Sequence, residues 1–166
     1  MQSQGPLELK RLNVQPDWID YNGHMNVAYY LIAFDRAYDV FMERIGVDQA
    51  FRDRTGGTIF AVEAHVSYQA ELKVDAPLVL ALQVVGYDRK RINTFMTMHH
   101  AEEGFLAATV EWMSLFVDLN TRRVREMPDE IYEKVEAIGR AHAALPRPEL
   151  AGKAIAMPAR KRPDGA

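Results

Sequence analysis

The stretch that decides the fold is DYNGHMNVAYYLIAFDRAYDVFMERIG, residues 20–46. From Asn26 to Ile45 the apolar side chains recur at spacings of three and four, which predicts an α-helix. Asn26 is suited to cap the first turn, and Gly46 is a natural helix stop. The other sides of this helix are also largely apolar, which is typical of a buried helix. In a chain of 166 residues, the remaining elements must therefore wrap around it.

The segments downstream of this helix supply the wrapping. Four of them are rich in Val, Phe, Thr and Tyr and are bounded by turn residues, which predicts long strands over Thr58–Ala70, Pro77–Asp88, Arg91–Glu102 and Phe105–Asp118. The short turns between them indicate an antiparallel meander. A short edge strand is expected over Leu7–Val14 and a second helix over Pro128–His142. The fold class is therefore α+β, an antiparallel sheet wrapped around a long central helix.

Composition sets limits on organisation and partners. We expect one domain over residues 1–145, followed by a Pro-rich, basic and mobile tail over residues 146–166. The absence of cysteine excludes disulfides, thiolate metal sites and a cysteine nucleophile. A net charge of −3 is a poor match for a nucleic-acid backbone. The longest uncharged run is too short to span a membrane, and without a secretion signal the expected location is the cytoplasm.

Some strands carry apolar residues on both faces, although a single helix can cover only one of them. In the segment Phe105–Val117, for example, large apolar side chains point both ways along the strand. A second face or an edge of the sheet is therefore expected to meet another copy of the chain.

The densest polar cluster is residues 20–26, directly before the central helix. A helix start leaves backbone N–H groups unpaired and partly positive, which suits an anion or an oxyanion. Amides near Asn26–Ala28 would point towards the loop that holds Asp20. A polarised carbonyl and a carboxylate are what acyl-transfer chemistry needs. The same residues are also ordinary turn and capping residues, and the two roles are compatible.

The pattern Asp20-x-x-Gly23-His24-x-Asn26-x-x-x-Tyr30, followed by a long helix and four strands, resembles the hotdog-fold thioesterases of the 4-hydroxybenzoyl-CoA thioesterase type. The segment Trp18–His24 most resembles members found with carnitine and betaine catabolism. The resemblance covers about residues 7–138. Acyl-carrier-protein thioesterases carry a related motif, but usually in two hotdog repeats, whereas this chain has one.

The resemblance implies roles for particular residues. Asp20 would be the nucleophile or the general base that activates water. Amides near Asn26 and Val27 would hold the thioester oxygen. His24 and Asn26 complete the expected catalytic set, in which His24 orients water, binds substrate or shapes the loop, and Gly23, Val27 and Tyr30 are expected to bind substrate. The family works as a homodimer or a tetramer of dimers, with sites across the subunit boundary.

Further candidates lie outside this motif. Glu63 and His65 alternate on one strand face, and because some hotdog thioesterases place their carboxylate on this element, Glu63 is a second catalytic candidate and His65 a substrate-binding one. Arg89, Lys90 and Arg91 sit at a hairpin turn and could meet the phosphates of coenzyme A. A set of aromatic residues could include a cage for a quaternary ammonium group: Trp18, Tyr21, Tyr29, Tyr30, Tyr68 and Trp112.

The expected function is hydrolysis of a small acyl-CoA, with betainyl-CoA or another short polar acyl-CoA as the substrate that the resemblance suggests. No cofactor and no metal are expected, since coenzyme A belongs to the substrate. Two alternatives stay open. One is a hotdog hydratase or dehydratase, although their Asp and His are five residues apart and here Asp20 and His24 are four apart. The other is a non-catalytic acyl-CoA-binding protein.

Overall fold

A six-stranded antiparallel sheet dominates the structure, a computed structural model that describes residues 5–157. The strands in chain order are β1 (Leu7–Asn13), β2 (Gly57–Tyr68), β3 (Pro77–Tyr87), β4 (Arg91–His100), β5 (Leu106–Asp118) and β6 (Arg123–Val124). The helices are α1 (Val27–Ile45), α2 (Gln49–Thr55) and α3 (Asp129–His142). The expected α+β hotdog architecture is confirmed, and the long strands and helices lie within a few residues of their predicted positions.

The strand order is β1-β3-β4-β5-β2, with the short β6 also paired to β5. Only β3, β4 and β5 form the predicted meander. The meander prediction is wrong for β2, which pairs with β5 instead of its sequence neighbour β3. The reason is the connection over residues 69–76, which is long enough to cross from one side of the sheet to the other. As a result β2 lies at an edge of the sheet.

The helix α1 lies across the inner face of the sheet. Asn26 caps it by accepting a hydrogen bond from the Ala28 amide, and Gly46 ends it in the left-handed conformation, at a φ of 93°. The Tyr38 hydroxyl and Ser114 Oγ on β5 are 3.1 Å apart. The central and C-terminal parts of the helix are buried against the sheet, with Phe34, Ala37, Phe41 and Ile45 showing no exposed area.

The helix is less completely covered than its sequence predicts. Val27, Leu31 and Ile32, all in its first two turns, are 58%, 38% and 38% exposed. A single sheet covers one side of a helix, and the other elements formed by residues 5–157 do not cover this end. The N-terminal half of α1 therefore presents an apolar surface.

The remaining elements close the other end of the molecule. The two short elements α2 and β6 carry weak periodicity and are not predicted by the sequence pattern. In α3, Ile131 and Val135 are buried, and His142 accepts a hydrogen bond from the Val84 amide of β3 at 2.9 Å. Within residues 5–157, no helix is long and apolar enough to cross a membrane.

Part of the segment predicted as a mobile tail contacts the sheet. The Pro146 carbonyl accepts a hydrogen bond from Gln83, and the Gly152 amide donates to Glu111. Residues 158–166, which complete the predicted tail, lie outside the described residues.

Candidate active site

The loop before α1 is built around Asp20. Its backbone amide donates to the His24 carbonyl at 3.1 Å, and its carbonyl accepts from the Gly23 amide at 3.0 Å. The Asn22 amide donates to Asp20 Oδ1 at 2.8 Å, an Asx turn that an Asp side chain readily forms. Gly23 has a φ of 80°, a conformation that favours glycine. The Met25 amide fastens the loop to the Leu72 carbonyl at 2.7 Å.

Asn26 joins this loop to the helix. Its Nδ2 donates to Asp20 Oδ2 at 3.1 Å, while its Oδ1 accepts from the Ala28 amide at 3.0 Å. One side chain thus caps the helix and orients the carboxylate. Both oxygens of Asp20 accept one hydrogen bond each, which leaves lone pairs available to a reactant. Asp20 is half-buried, so the carboxylate is accessible from outside.

The amides at the start of α1 differ in availability. The Asn26 amide donates to the Trp18 carbonyl at 2.9 Å, so it is already occupied. The amides of Ala28 and Tyr29 are taken by Asn26 Oδ1 and by the Asn26 carbonyl. Within the described part of the chain, the Val27 amide has no acceptor. Of the two amides expected to hold an oxyanion, only that of Val27 is free.

A cleft of about 240 Å³ opens beside this helix start. His24 lines it, with Nε2 at 3.5 Å from Glu71 Oε1. The Tyr68 hydroxyl donates to the Val27 carbonyl at 3.2 Å, and its ring meets Tyr30 edge-on at a centroid distance of 5.2 Å. Burial raises the pKa of both tyrosines above its ordinary value, which already leaves them neutral donors at physiological pH.

Glu71 is a cleft residue that sequence reasoning missed. It follows β2 in a loop without a recognisable motif, and its position in the cleft depends on how the 69–76 connection folds back over the loop of Asp20. The sequence marks Tyr68 only as one of several candidate aromatic residues. The period-two pattern of β2, which places its ring on the same face as Ala64 and Val66, is the one sequence signal for its position.

Glu63 and His65 lie elsewhere in the protomer. Opposite them on β5 are Met113 and Glu111, which point to the outer face of the sheet, away from α1. A β-bulge between Ala61 and Glu63 shifts the alternation of side chains along β2, so that Glu63 and His65 point to the outer face. The two side chains line a separate depression of about 330 Å³. The structure therefore does not bring Glu63 together with Asp20 in one protomer, and its catalytic role stays a prediction.

The basic hairpin is also distant from Asp20 within the protomer. Arg89, Lys90 and Arg91 lie at the far end of β3, whereas the loop of Asp20 is held near the Pro77 end. Each of the three cations has a carboxylate partner: Asp129 for Arg89, Glu126 for Lys90 and Asp88 for Arg91. Any role in binding phosphate must therefore involve another copy of the chain or compete with these pairs.

The other four candidate aromatic residues do not form a cage. Trp18 stacks on Tyr29 with ring centroids 5.6 Å apart, and Trp112 meets Tyr38 edge-on at 5.0 Å. Tyr21 is 96% exposed and contributes no wall to the cleft. Only Tyr30 and Tyr68 of the predicted set line the cleft.

A long helix wrapped by an antiparallel sheet, with a carboxylate and a free amide at its start, defines a hotdog-fold acyl-thioester hydrolase. Comparison with known proteins identifies the family. Residues 14–135 match the thioesterase-like superfamily, and the chain belongs to this family.

Curated relatives agree with this assignment. The chain is 38% identical to a betainyl-CoA thioesterase from Pseudomonas aeruginosa, over 87% of this chain and 91% of that protein. It is 36% identical to an L-carnitine dehydrogenase/betainyl-CoA thioesterase from Rhizobium meliloti, over 93% of this chain but only 31% of that longer protein.

Solved structures share the fold. A Staphylococcus aureus protein in complex with CoA superposes with a TM-score of 0.86 at 28% identity, covering 92% of this chain and 97% of that one. A putative thioesterase from Pseudomonas putida gives a TM-score of 0.80 at 30% identity, covering 93% and 99%. The predicted class is confirmed: the protein is a thioester hydrolase that acts on acyl-CoA.

Proposed function

We propose that this enzyme hydrolyses betainyl-CoA, a short acyl-CoA whose acyl group ends in a trimethylammonium cation. The observation that carries the proposal is the arrangement of Asp20, Asn26 and the free Val27 amide at the start of α1. The relative from Pseudomonas aeruginosa, which the chain matches over most of its length, supports the choice of acyl group.

The reaction follows from the chemistry of these groups. The thioester oxygen accepts from the Val27 amide, which stabilises the negative charge that develops on it. Asp20 either removes a proton from the attacking water or attacks the acyl carbon itself. In both routes the C–S bond breaks and the remaining proton ends on the coenzyme A thiolate. The acyl carbon either takes the hydroxyl of water directly or first bonds to an Asp20 oxygen, which forms an anhydride that water then hydrolyses. Label from heavy-oxygen water in the Asp20 carboxylate after a single turnover shows direct attack, because only an anhydride opened at its aspartyl carbon places label there.

We also propose a homodimer, alone or as a tetramer of dimers, formed through β2. In residues 5–157 this edge has no strand beside it, and Phe60 and Val62 are 40% and 56% exposed. Such an edge is a ready site for pairing. Two identical strands that pair antiparallel are related by a two-fold axis, as an isologous dimer requires.

This pairing supports a site across the subunit boundary. In an antiparallel pair, the Tyr68 end of one β2 lies beside the Gly57 end of the other. Residues 88–91 lie at the Gly57 end of the sheet, because Lys90 and Gly57 both border the last residues of β5. The basic hairpin of a second copy is thereby carried towards the cleft, where it can meet the phosphates of coenzyme A.

No cofactor is needed for this reaction, since a carboxylate, an amide and water supply every step. The proposed location is the cytoplasm, where coenzyme A thioesters are made and consumed. Cell fractionation tests the location.

The test of the function is a panel of acyl-CoA substrates followed by thiol release. The panel contains betainyl-, acetyl-, straight-chain and aromatic acyl-CoA, and the chain has no cysteine to react with the thiol reagent. We expect betainyl-CoA to give the highest kcat/KM. Preferred hydrolysis of another acyl group would overturn the proposed substrate. Binding without release of thiol, or hydration of an enoyl-CoA, would instead support one of the alternative functions.

A further inference from the structure

The cleft beside α1 carries features that a neutral acyl group would not require. Its rim holds an aromatic ring, that of Tyr68, and a carboxylate, that of Glu71. A cation is attracted both by the face of an aromatic ring and by a nearby negative charge. We infer that Tyr68 and Glu71 recognise the trimethylammonium group of the substrate and set the specificity for a cationic acyl group; this inference rests on the proposed function.

The position of the Tyr68 ring suits this role. Its hydroxyl donates to the carbonyl of Val27. This hydrogen bond holds the ring next to Val27, the residue whose amide is free for the thioester oxygen. In betainyl-CoA a single methylene separates the cationic nitrogen from the acyl carbon. The cation must therefore bind close to the reacting carbonyl, and the Tyr68 ring lines the cleft together with Val27, the residue proposed to hold the carbonyl oxygen.

The Tyr68 ring packs against a buried neighbour and yet remains partly exposed. Tyr30, which is 3% exposed, meets the Tyr68 ring edge-on and donates its own hydroxyl to the Ala70 carbonyl at 3.3 Å. Tyr68 itself is 49% exposed. A ring that is held at its hydroxyl and packed against the Tyr30 ring keeps its orientation while about half of the residue stays exposed, as a cation-binding surface requires.

Glu71 supplies the charge. Its side chain is 74% exposed, and its nearest cationic candidate is His24, at 3.5 Å. Within residues 5–157 no Lys or Arg forms an ion pair with it. Its negative charge is thus available to a ligand in the cleft, and a trimethylammonium group, which has no hydrogen-bond donor, interacts with it through charge alone.

Two substrates of the same shape isolate this effect. Betainyl-CoA and 3,3-dimethylbutyryl-CoA differ only in whether a positively charged nitrogen or a neutral carbon carries the three methyl groups. The measurement is the ratio of their kcat/KM values, each divided by the rate of uncatalysed alkaline hydrolysis of the same thioester, because the ammonium group also activates the neighbouring carbonyl. We expect the wild-type protein to favour the cation by about ten-fold, the size of effect that a cation–π contact and a nearby charge produce.

Variants of Tyr68 and Glu71 then show which of the two side chains produces the preference for the cationic substrate. Tyr68→Leu should bring the ratio close to one, whereas Tyr68→Phe, which keeps the ring but loses the hydrogen bond that holds it, should retain most of the ratio. Glu71→Gln should lower it about three-fold, the effect of one partly screened charge. Glu102→Gln is the matched control, because it removes an exposed carboxylate at the same end of the sheet but outside the cleft, and it should leave the ratio unchanged.

The outcomes separate this inference from the proposed function. Activity on the neutral substrate shows that each variant is folded and assembled. A wild-type ratio near one, or an unchanged ratio in both Tyr68→Leu and Glu71→Gln, would overturn the inference while hydrolysis itself stands. A wild-type protein that hydrolyses neither substrate would overturn the proposed function.

Discussion

The two halves of α1 meet very different surroundings. In the C-terminal half, Phe41 and Ile45 have no exposed area, whereas in the first two turns Val27 is 58% exposed and Leu31 and Ile32 are each 38% exposed. The two halves are similar in composition, since both are rich in large apolar residues. The difference is that one half is covered by the chain's own sheet, and the other lies where the cleft and the open β2 edge meet.

This contrast separates stability from function along one helix. The C-terminal half anchors the helix by burying apolar area, at about 25 cal/mol for each Å² removed from water. The N-terminal half gives up part of that stabilisation and keeps its amide end, the Asp20 loop and an apolar surface accessible. Substitutions in the two halves should therefore act on different measured quantities.

Asp20→Asn, in the loop that precedes the accessible N-terminal half of α1, should have the largest effect on activity. Removing the carboxylate that attacks the acyl carbon or activates water is expected to lower kcat about 10²- to 10⁴-fold. The side-chain amide of the new asparagine still fits the same site. Asp17→Asn, an exposed carboxylate three residues earlier, is the control and should keep its activity. Thiol release and circular dichroism check both variants, and an active Asp20→Asn would remove the proposed mechanism.

Phe41→Ala should have the largest effect on the anchored half. Deleting a fully buried phenylalanine leaves a cavity and is expected to lower the free energy of unfolding by about 3–5 kcal/mol. Leu31→Ala, on the accessible half, should cost less than about 1 kcal/mol. Denaturant unfolding measures both values, and equal losses would contradict the contrast between the halves.

Val62→Lys should weaken assembly. A lysine in the exposed edge of β2 places like charges opposite each other across the proposed two-fold axis, which disfavours strand pairing. We expect a shift from dimer to monomer, measured by analytical ultracentrifugation. The control is Val124→Lys, since this valine is similarly exposed, at 47%, but lies on β6 away from that edge. A dimer that persists in Val62→Lys would place the interface elsewhere.

Tyr38 should make the anchored half sensitive to alkaline pH. Burial raises the pKa of Tyr38 to about 12, although its hydrogen bond to Ser114 acts in the opposite direction. The unfolded chain ionises near 10 and the folded protein only near 12, so this stabilisation is complete below pH 10 and is lost as the pH rises to about 12. The loss is on the order of 2 kcal/mol.

Unfolding at pH 9 and pH 11.5 tests this assignment. Tyr38→Phe should lose less stability between the two values than the wild-type protein does, because it has no hydroxyl to ionise. Equal losses in the two proteins would assign the alkaline sensitivity to other groups.

Removal of metal ions should have the smallest effect. Among the described residues, no group of three His, Asp or Glu side chains is placed to hold a metal. We expect hydrolysis after dialysis against a chelator to remain within experimental error of the untreated enzyme. A loss that returning Mg²⁺ or Zn²⁺ restores would show that the reaction needs more than Asp20 and an amide.

The local elements could be read from the sequence with little error. The α1 boundaries follow from a capping asparagine, a terminal glycine and a regular apolar spacing, all of which act within a few residues. The resemblance of residues 18–30 identified the family as well. By contrast, the place of β2 in the sheet could not be read, because pairing with β5 rather than β3 depends on contacts between distant segments.

The candidate site divides in the same way. Asp20, Gly23, His24 and Asn26 are contiguous, so their turn and cap geometry is local and their closeness was predictable. Glu71 reaches the cleft only through the folding of the 69–76 connection. The bulge in β2 turns Glu63 and His65 to the outer face, and a period-two pattern alone does not say which face will meet α1.

The sequence by itself determined the central helix, the strands and the loop that presents Asp20, because hydrogen bonds and apolar periodicity between near neighbours specify each of them. Only the tertiary structure decided which edge of the sheet stays open, which of the helix amides is free and which side chains share the cleft. Those outcomes depend on contacts between residues far apart in the chain, where burial and competition for hydrogen-bond partners are settled by the whole fold.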